Sequence, residues 1–504
     1  MEFSYLFIFS CSIAITTLVY QILGDKYAID VPNNRKIHKD NIPQIGGLIF
    51  GSLFLVFGWY LKILPNWYLI CGAVTILIGT IDDNLSIKWQ IKLLIQLLLL
   101  IYLSFLFWDC FNAISFYSYT IKINKFLLLS LFALWFIGIY NAVNLIDGLD
   151  GLSSGYIIII CLFSSFSNFI IFKQINLLLA ILLLGFLLFN QRPAKIFMGD
   201  AGSLFLGFHI AVLPLLIADE STIDTTLLTT PFVLFASFLI ADTTRVFFTR
   251  LINKRSPMTP DTIHFHHIVL QQSGSYLGSL TIIFLITIIS AVLGLMTFSK
   301  VLHSNYMIAH LSFLLLFILT PPIETYIPIF TSLIKPFYTW QSKKKKEKPF
   351  FPRTIFIVLL LLCLVMSIID NIDLNEILQI EFIFSLAILF ILLYKFNRDI
   401  IFRYVIQLSF VIFLADIYDH STMNIVTKLF LSLINISLII FYLERRMGTS
   451  IKEFSALDIL IFILFIGGIL LYIINFSNLL WILSLVVSIW FSISFIYRRL
   501  ILFN

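Results

Sequence analysis

The chain has 504 residues, of which 60% are hydrophobic and 12% charged, with a formal net charge of +6. Soluble domains carry about 25% charged residues, so this composition excludes a soluble globular protein and indicates an integral membrane protein. The positive charge does not indicate nucleic-acid binding, because the basic residues are scattered over loops between apolar runs.

Apolar runs of the length that crosses a bilayer, about 20 residues, recur along the whole chain. We predict about eleven spans before residue 335 and about six after it. The predicted spans lie near 3–23, 46–63, 67–82, 92–110, 126–144, 156–172, 176–190, 202–217, 229–250, 276–297, 305–334, 354–369, 380–394, 399–416, 423–443, 457–475 and 478–497. The predicted fold class is therefore all-α, a polytopic integral membrane protein with about 17 transmembrane helices.

Loops rich in Lys and Arg alternate with loops that lack them, which sets the predicted orientation. Loops 24–45 and 245–263 carry four basic residues each, whereas loop 218–228 carries none. This pattern predicts an N-terminus outside and a C-terminus in the cytoplasm. On this topology every dense polar cluster of the chain falls on the cytoplasmic side.

One such cluster is an adjacent pair of carboxylates, Asp82 and Asp83, at the end of the third predicted span. Ionisable residues at membrane depth are functional candidates, and paired carboxylates suit a general base or a neighbour of Mg²⁺. Downstream, Lys88, Lys92 and Gln96 recur every four residues and are expected on one helix face. The alternative is an acidic turn that only ends a helix.

The densest cluster is the stretch 141–155, NAVNLIDGLDGLSSG, between two apolar runs. Asn141, Asn144, Asp147 and Asp150 recur at three-residue intervals, which places several on one face of a helix end or 3₁₀ turn. Their oxygen atoms suit Mg²⁺, and the interleaved glycines let backbone N–H groups approach a phosphate. A plain Asn/Asp/Gly turn explains the glycines but not the spacing.

Two further clusters follow. In RPAKIFMGDAGSLFLG (192–207), Asp200 begins the eighth predicted span, where Ser203 could cap the helix and an anion could bind its N-terminus. The loop that ends at 267 closes with His264, His266 and His267. A histidine cluster can hold zinc, but no cysteine or second histidine pair accompanies it, so we favour phosphate binding.

Together, in this order, these motifs resemble the polyprenyl-phosphate N-acetylhexosamine-1-phosphate transferase family, of the glycosyltransferase family 4 type. The resemblance covers residues 1–335: the Asp-Asp pair with a downstream Lys, NxxNxxDGxDGL, MGDxGS and HxHH. HxHH after RSPxxPD resembles the branch that uses UDP-N-acetylglucosamine. The phospho-N-acetylmuramoyl-pentapeptide transferases of peptidoglycan synthesis usually end in three consecutive histidines, and Phe265 interrupts them here.

The resemblance implies transfer of a sugar 1-phosphate, N-acetylglucosamine 1-phosphate or a related N-acetylhexosamine 1-phosphate, from a UDP-sugar to undecaprenyl phosphate. UMP would be the second product, and a cell-envelope polysaccharide would begin on the lipid. The implied cofactor is Mg²⁺, with Mn²⁺ as an alternative. The implied location is the bacterial inner membrane, with the active site on the cytoplasmic face, and a homodimer is left open.

Residue roles carry over by the same resemblance. Asp147 and Asp200 are expected near the metal, and Asp82 or Asp83 would orient or deprotonate the lipid phosphate. The remaining candidates would bind substrate: phosphate for Lys92, His264, His266 and His267, and the nucleotide or ligand network for Asn144 and Asp150. Where the family commonly carries Arg after the PD dipeptide, this chain has Thr262, and Arg255 is the expected substitute.

We predict three regions: a phospho-sugar transferase membrane domain (1–335), a basic cytoplasmic linker (336–352), and an appended helical membrane domain of unassigned role (353–504). The rival class is a lipid or solute transporter, which would place ionisable residues near the middle of spans. In this chain the acidic residues are expected at span ends. A fifth cluster is the basic loop Asp30–Gly47, whose Lys and Arg side chains would suit a diphosphate or lipid phosphate. A non-catalytic scaffold would have lost a cluster, and all five are present.

Overall fold

The computed structural model describes the greater part of the chain up to residue 298. The described residues are 5–24, 26–32, 41–116, 119–220, 227–228, 230–254, 263–273, 276–298, 457, 459–461 and 464. The chain divides into two compact units, Ile15–Pro328 on the one hand and Met1–Ala14 with Ile329–Asn504 on the other. The predicted linker and nearly all of the predicted appended domain lie outside the described residues.

Helices make up most of the described chain. They are α1 (Tyr5–Leu23), α2 (Gly46–Tyr60), α3 (Asn66–Leu85), α4 (Trp89–Leu106), α5 (Lys125–Ile146), α6 (Leu152–Ser164), α7 (Ile170–Asn190), α8 (Gly199–Glu220), α9 (Thr230–Phe235), α10 (Ser237–Ile252), α11 (Phe265–Ser273) and α12 (Tyr276–Phe298). Long apolar segments form helices because lipid cannot satisfy the backbone, whereas a helix hydrogen-bonds every group within itself.

Six of the described helices, α3, α4, α5, α7, α8 and α12, are long and apolar enough to cross a membrane. Helices α1, α2 and α6 are also apolar, but their apolar segments are shorter than those of the six. The chain is thus a multi-pass membrane protein, and each span predicted up to residue 297 overlaps an observed helix. The total of about 17 spans and the orientation stay predictions.

Helix α8 lies at the centre of the unit that spans residues 15–328. It packs against α2, α3 and α5 and is buried along nearly its whole length, as expected for a helix that is apolar all round. By contrast, α4 presents most of its surface outward, with side chains such as Leu98 and Phe105 exposed. The first residues of α8 are therefore surrounded by other helix ends.

Short strands were not part of the all-α prediction. Strands β1 (Ile29–Asp30) and β2 (Ile42–Pro43) pair antiparallel. Strands β3 (Ala113–Phe116) and β4 (Tyr119–Lys122) form an antiparallel hairpin, and β5 (Leu227–Leu228) pairs in parallel with β3. The strands occupy loops between helices and are too short to alter the helical class.

Several boundaries differ from the predictions. The sixth span was expected over 156–172, but α6 ends at Ser164 and α7 begins at Ile170. Asp82 and Asp83 were expected to end the third span, but α3 continues one turn further to Leu85. The ninth span was expected to be continuous, whereas Ala236 separates α9 from α10. Apolar content alone does not reveal such a break, because both sides of it are buried.

Candidate active site

Four helix ends meet at one end of the unit and bring three of the polar motifs together. They are the end of α3 with Asp82 and Asp83, the start of α4 with Lys92, the end of α5 with Asn144 and Asp147, and the start of α8 with Asp200. Far from it, at the other end of α8, Glu220 accepts hydrogen bonds from the first backbone N–H groups of α7. The polar motifs thus share one end of the bundle.

Lys92 joins two of the carboxylates. Its Nζ lies 2.5 Å from Asp82 Oδ2 and 3.1 Å from Asp200 Oδ2. Asp82 is buried, so an unpaired charge there would be strongly disfavoured, and the ammonium group compensates for it. Lys92 and Gln96 do lie on one face of α4, while Lys88 precedes the helix and is exposed.

Asp83 has a separate partner, the N-terminus of α8. Its two carboxylate oxygens accept the backbone N–H groups of Asp200 (2.6 Å) and Ala201 (3.1 Å). Asp83 therefore caps α8, where a negative charge also complements the helix dipole. The suggestion that Ser203 caps this helix is wrong, since its hydroxyl donates to the Gly199 carbonyl instead.

Gly199 allows this cap to form. Its φ is +67°, a left-handed conformation that glycine adopts readily, and a Cβ atom there would lie 2.5 Å from Asp83 Oδ2. The glycine of the MGDxGS motif is thus required by both backbone conformation and space. It fixes Asp200 at the first turn of α8, beside Lys92.

The end of α5 supplies the next side chains. Asn144 Nδ2 donates to Asp200 Oδ1 at 3.3 Å, and Ser153 Oγ donates to Asp147 Oδ1 at 2.8 Å. Burial, reinforced by the negative charges of Asp200 and Asp150, raises the pKa of Asp147 to about 7. The three-residue spacing thus brings Asn144 and Asp147 to the same place as Asp200.

Asp150 is held by the loop before α8 and by the start of α12. Its Oδ2 accepts the Ala194 N–H at 3.3 Å, and its backbone carbonyl accepts the hydroxyl of Tyr276. The guanidinium of Arg192 lies over the Tyr276 ring, 4.9 Å from the centroid. Asp150 and Arg192 therefore both contact Tyr276.

The histidines reach the same loop from the C-terminal side. A Cβ atom on Gly148 would lie 2.3 Å from His266 Nε2, so this ring packs directly on the backbone next to Asp147. The His266 ring stacks on that of His264 (centroids 5.9 Å apart) and contacts that of His267 (4.1 Å). Burial, together with the neighbouring His267, lowers the pKa of His266 to about 3, so the ring is neutral at physiological pH.

The oxygen-rich cluster is suited to Mg²⁺. Asp147 and Asp200 interact electrostatically as like charges, a repulsion that a bound cation would relieve. Within the described residues, no three His, Cys, Asp or Glu side chains are grouped so that they could hold a metal by themselves. Mg²⁺ usually binds through one or two carboxylates plus water and substrate phosphates, and Asp147 and Asp200 would supply the carboxylates.

Some predicted positions cannot be placed. Arg255, the expected substitute for the family arginine, and Thr262 both lie outside the described residues. The same holds for residues 33–40 of the basic loop, whose contribution to a diphosphate or lipid-phosphate site stays a prediction.

Two polar residues of this region, Asn190 and Asp242, were not among the predicted site residues. Asn190, at the end of α7, accepts the Gly151 N–H at 2.9 Å and donates to the Ile196 carbonyl at 3.0 Å. It therefore connects the loop between α5 and α6 with the loop before α8. Asp242 in α10 accepts a hydrogen bond from His264. Asp242 could have been found, because a carboxylate inside an apolar span is a functional candidate. The expectation that acidic residues lie only at span ends is wrong for Asp242.

Comparison with known proteins identifies the class. The model of glycosyl transferase family 4 matches residues 66–218, a range that holds every candidate carboxylate except those after α8. A relative from Bacillus subtilis (strain 168) is 34% identical over 288 residues, which cover 55% of this chain and 79% of the relative. The chain therefore belongs to the glycosyl transferase family 4, as the motifs indicated.

The printed names of the relatives agree with one another. The Bacillus protein is named "Probable undecaprenyl-phosphate N-acetylglucosaminyl 1-phosphate transferase". Relatives named undecaprenyl-phosphate alpha-N-acetylglucosaminyl 1-phosphate transferase come from Thermotoga maritima (29% identity, 49% of this chain, 75% of the relative) and Escherichia coli strain K12 (29%, 52% and 75%).

Proposed function

We propose that this protein transfers N-acetylglucosamine 1-phosphate from UDP-N-acetylglucosamine to undecaprenyl phosphate and releases UMP. The observation that carries the proposal is the joining of Asp82, Lys92, Asn144 and Asp200 in one hydrogen-bonded cluster at the helix ends. The names of the relatives from three bacteria support the acceptor and the sugar.

The reaction needs positioning and charge neutralisation more than covalent chemistry from the protein. An oxygen of the lipid phosphate forms a bond to the phosphorus that carries the sugar, and the bond from that phosphorus to the UMP oxygen breaks. Direct and two-step displacement give the same products. The new lipid-diphosphate-sugar then begins a cell-envelope polysaccharide.

We assign roles from the contacts. Asp82, held beside Lys92, would orient or deprotonate the lipid phosphate, while Lys92 would also contact phosphate oxygens. Both oxygens of each carboxylate already have partners: Asp83 caps α8, while Asp82 accepts the Ile87 N–H at Oδ1 (2.6 Å) and Lys92 at Oδ2. Either carboxylate would therefore exchange a partner when it contacts substrate. Asn144 and Asp150 would position the nucleotide, and the histidines, with Arg255, would bind phosphate.

Asp147 and Asp200 would hold Mg²⁺, with Mn²⁺ as an alternative. When bound, the metal would offset negative charge on the diphosphate oxygens. Ser153, which donates to one oxygen of Asp147, orients that carboxylate for this role.

We place the site on the cytoplasmic face of the bacterial inner membrane, where UDP-sugars are made, in accordance with the basic loops. The two rivals make different predictions. A phospho-N-acetylmuramoyl-pentapeptide transferase would require the muramoyl-pentapeptide nucleotide. A transporter would move solute without releasing UMP.

A panel of UDP-sugars tests the proposal. Purified protein in liposomes with undecaprenyl phosphate and Mg²⁺ should release UMP with UDP-N-acetylglucosamine and form an equal amount of lipid-diphosphate-sugar. Release only with UDP-N-acetylmuramoyl-pentapeptide would assign the peptidoglycan branch instead. The absence of UMP with every nucleotide sugar, in protein that elutes as a folded species, would refute the enzyme class.

A further inference from the structure

The carboxylate of Asp242 lies at the centre of a buried polar cluster behind the histidines. Asp242 is 1% exposed, yet it accepts three hydrogen bonds. Oδ2 bonds to His264 Nδ1 at 2.9 Å, while Oδ1 accepts Arg245 Nη2 at 2.9 Å and the Phe265 N–H at 3.0 Å. The two oxygens thus have different partners: Oδ1 bonds to the first backbone N–H of α11 and to Arg245, and Oδ2 bonds only to the His264 ring.

The bond to Oδ2 defines the state of the His264 ring. The carboxylate is ionised beside Arg245 and can only accept, so Nδ1 must carry a proton. Nε2 is then the one ring nitrogen left for another partner. It is buried and makes no hydrogen bond to any described residue. An unpartnered buried nitrogen is costly, which indicates a ligand.

The position of His264 connects this cluster to the candidate active site. Its ring stacks at 16° on that of His266, and His266 packs on Gly148, next to Asp147. Among the described residues, His266 also has both ring nitrogens buried without a hydrogen-bond partner. The unpartnered nitrogens of the two stacked rings therefore lie next to the loop that carries a candidate metal ligand.

We propose that Asp242 is a positioning residue of the transfer reaction, which fixes the orientation and Nδ1–H tautomer of His264 so that the Nε2 lone pair accepts a hydrogen bond from a protonated phosphate oxygen (P–OH) of the substrate. The proposal rests on the proposed function for its substrate. Carboxylate partners of functional histidines commonly act in this way, since they set the tautomer and stabilise the imidazolium. Asp242 itself touches no substrate.

The substitution Asp242→Asn separates this role from a purely structural one. The amide oxygen can replace Oδ1 and keep the bonds from Arg245 and Phe265, so the start of α11 stays in place. The amide nitrogen then occupies the position of Oδ2 and donates to Nδ1, which forces the proton of His264 to Nε2. The fold is retained and the tautomer is reversed.

Kinetics supply the first test. We expect Asp242→Asn to lower kcat/KM for UMP release by about 10- to 100-fold, the range typical of partners that orient functional histidines. In a His264→Ala background the same substitution should change kcat/KM less than about twofold, because Asp242 acts through His264. Equal losses with and without His264, or an unchanged kcat/KM for Asp242→Asn, would overturn the proposal.

Spectroscopy supplies a second test that needs no turnover. In protein with ¹⁵N-labelled histidine, the His264 signals, assigned by their loss in His264→Gln, should show a protonated Nδ1 in the wild type and a protonated Nε2 in Asp242→Asn. An unprotonated Nδ1 in the wild type would overturn the proposal even if Asp242→Asn failed to fold. Failure of the proposed function is distinct, because wild-type protein would then release no UMP while the tautomer result stood.

Discussion

At the scale of single residues, the site depends on close contacts between side chains and backbone. His266 is 1% exposed and packs on Gly148, so its ring cannot move aside without disturbing the histidine stack. The contact leaves no room for a methyl group on the Cα atom of Gly148. The same loop carries Asp147, so a shift at Gly148 would be transmitted to a candidate metal ligand.

We expect Gly148→Ala to lower transfer activity by tenfold or more, since a new Cβ would lie 2.3 Å from His266 Nε2. Overpacking of this kind costs about 1–3 kcal/mol, which would be relieved by displacement of the ring or the loop. Turnover and thermal stability of the purified variant would be measured.

Gly138→Ala is the matched control for this substitution. Gly138 lies in α5, and nothing lies within 4 Å of an added Cβ. Alanine favours a helix over glycine by about 0.5–1 kcal/mol, so this variant should keep full activity and be no less stable. Wild-type turnover of Gly148→Ala would show that the histidine contact does not matter.

At the scale of helices, α4 has the smallest buried share among the six long helices that the structure describes, yet it carries Lys92. One turn beyond Lys92, the amides of Gln96 and Asn141 exchange two hydrogen bonds of 3.1 and 2.9 Å. Gln96 is 2% exposed. This amide pair fixes α4 against α5 and, through it, the position of Lys92 relative to Asp82 and Asp200.

We expect Gln96→Ala to lower stability by about 1–2 kcal/mol, the upper range for interhelical hydrogen bonds in membranes. Activity should fall as well, because Lys92 loses its support. The exchanged pair Gln96→Asn with Asn141→Gln should recover part of both, since both hydrogen bonds can form again. Unfolding in detergent and UMP release would be measured.

Leu98→Ala serves as the control on the same helix, because Leu98 is 57% exposed and makes no part of the amide pair. It should leave turnover unchanged. If the exchanged pair were no better than Gln96→Ala alone, the amide pair would not be what positions α4.

The sequence predicts the helices well and the contacts between them only in part. Apolar runs placed each span up to residue 297, because lipid permits little besides helices. The pattern of hydrophobic residues predicts neither the break at Ala236 nor the short strands. Asp82, Asp147 and Asp200 were predicted from motif chemistry. The cap that Asp83 forms on α8 and the bond from Asp242 to His264 depend on which helices are neighbours, which no local pattern specifies.

At the scale of the whole molecule, the unit that spans residues 15–328 has two chemically different ends. One end gathers Asp82, Lys92, Asp147 and Asp200 around the start of α8. At the opposite end of α4, Asp109 is exposed, 3.9 Å from Lys125, whose ammonium lies over the Trp108 ring. If negative charge alone supported transfer, loss of a carboxylate at either end would lower the activity equally. We expect only the end that holds Asp200 to support transfer.

The most direct measurement of this claim is Mg²⁺-dependent transfer by Asp200→Asn compared with Asp109→Asn in liposomes with UDP-N-acetylglucosamine and undecaprenyl phosphate. Asp200→Asn should insert in the membrane normally and lose transfer at every Mg²⁺ concentration. Asp109→Asn, with its exposed side chain far from the cluster, should retain wild-type transfer. Unchanged turnover in Asp200→Asn would contradict the account.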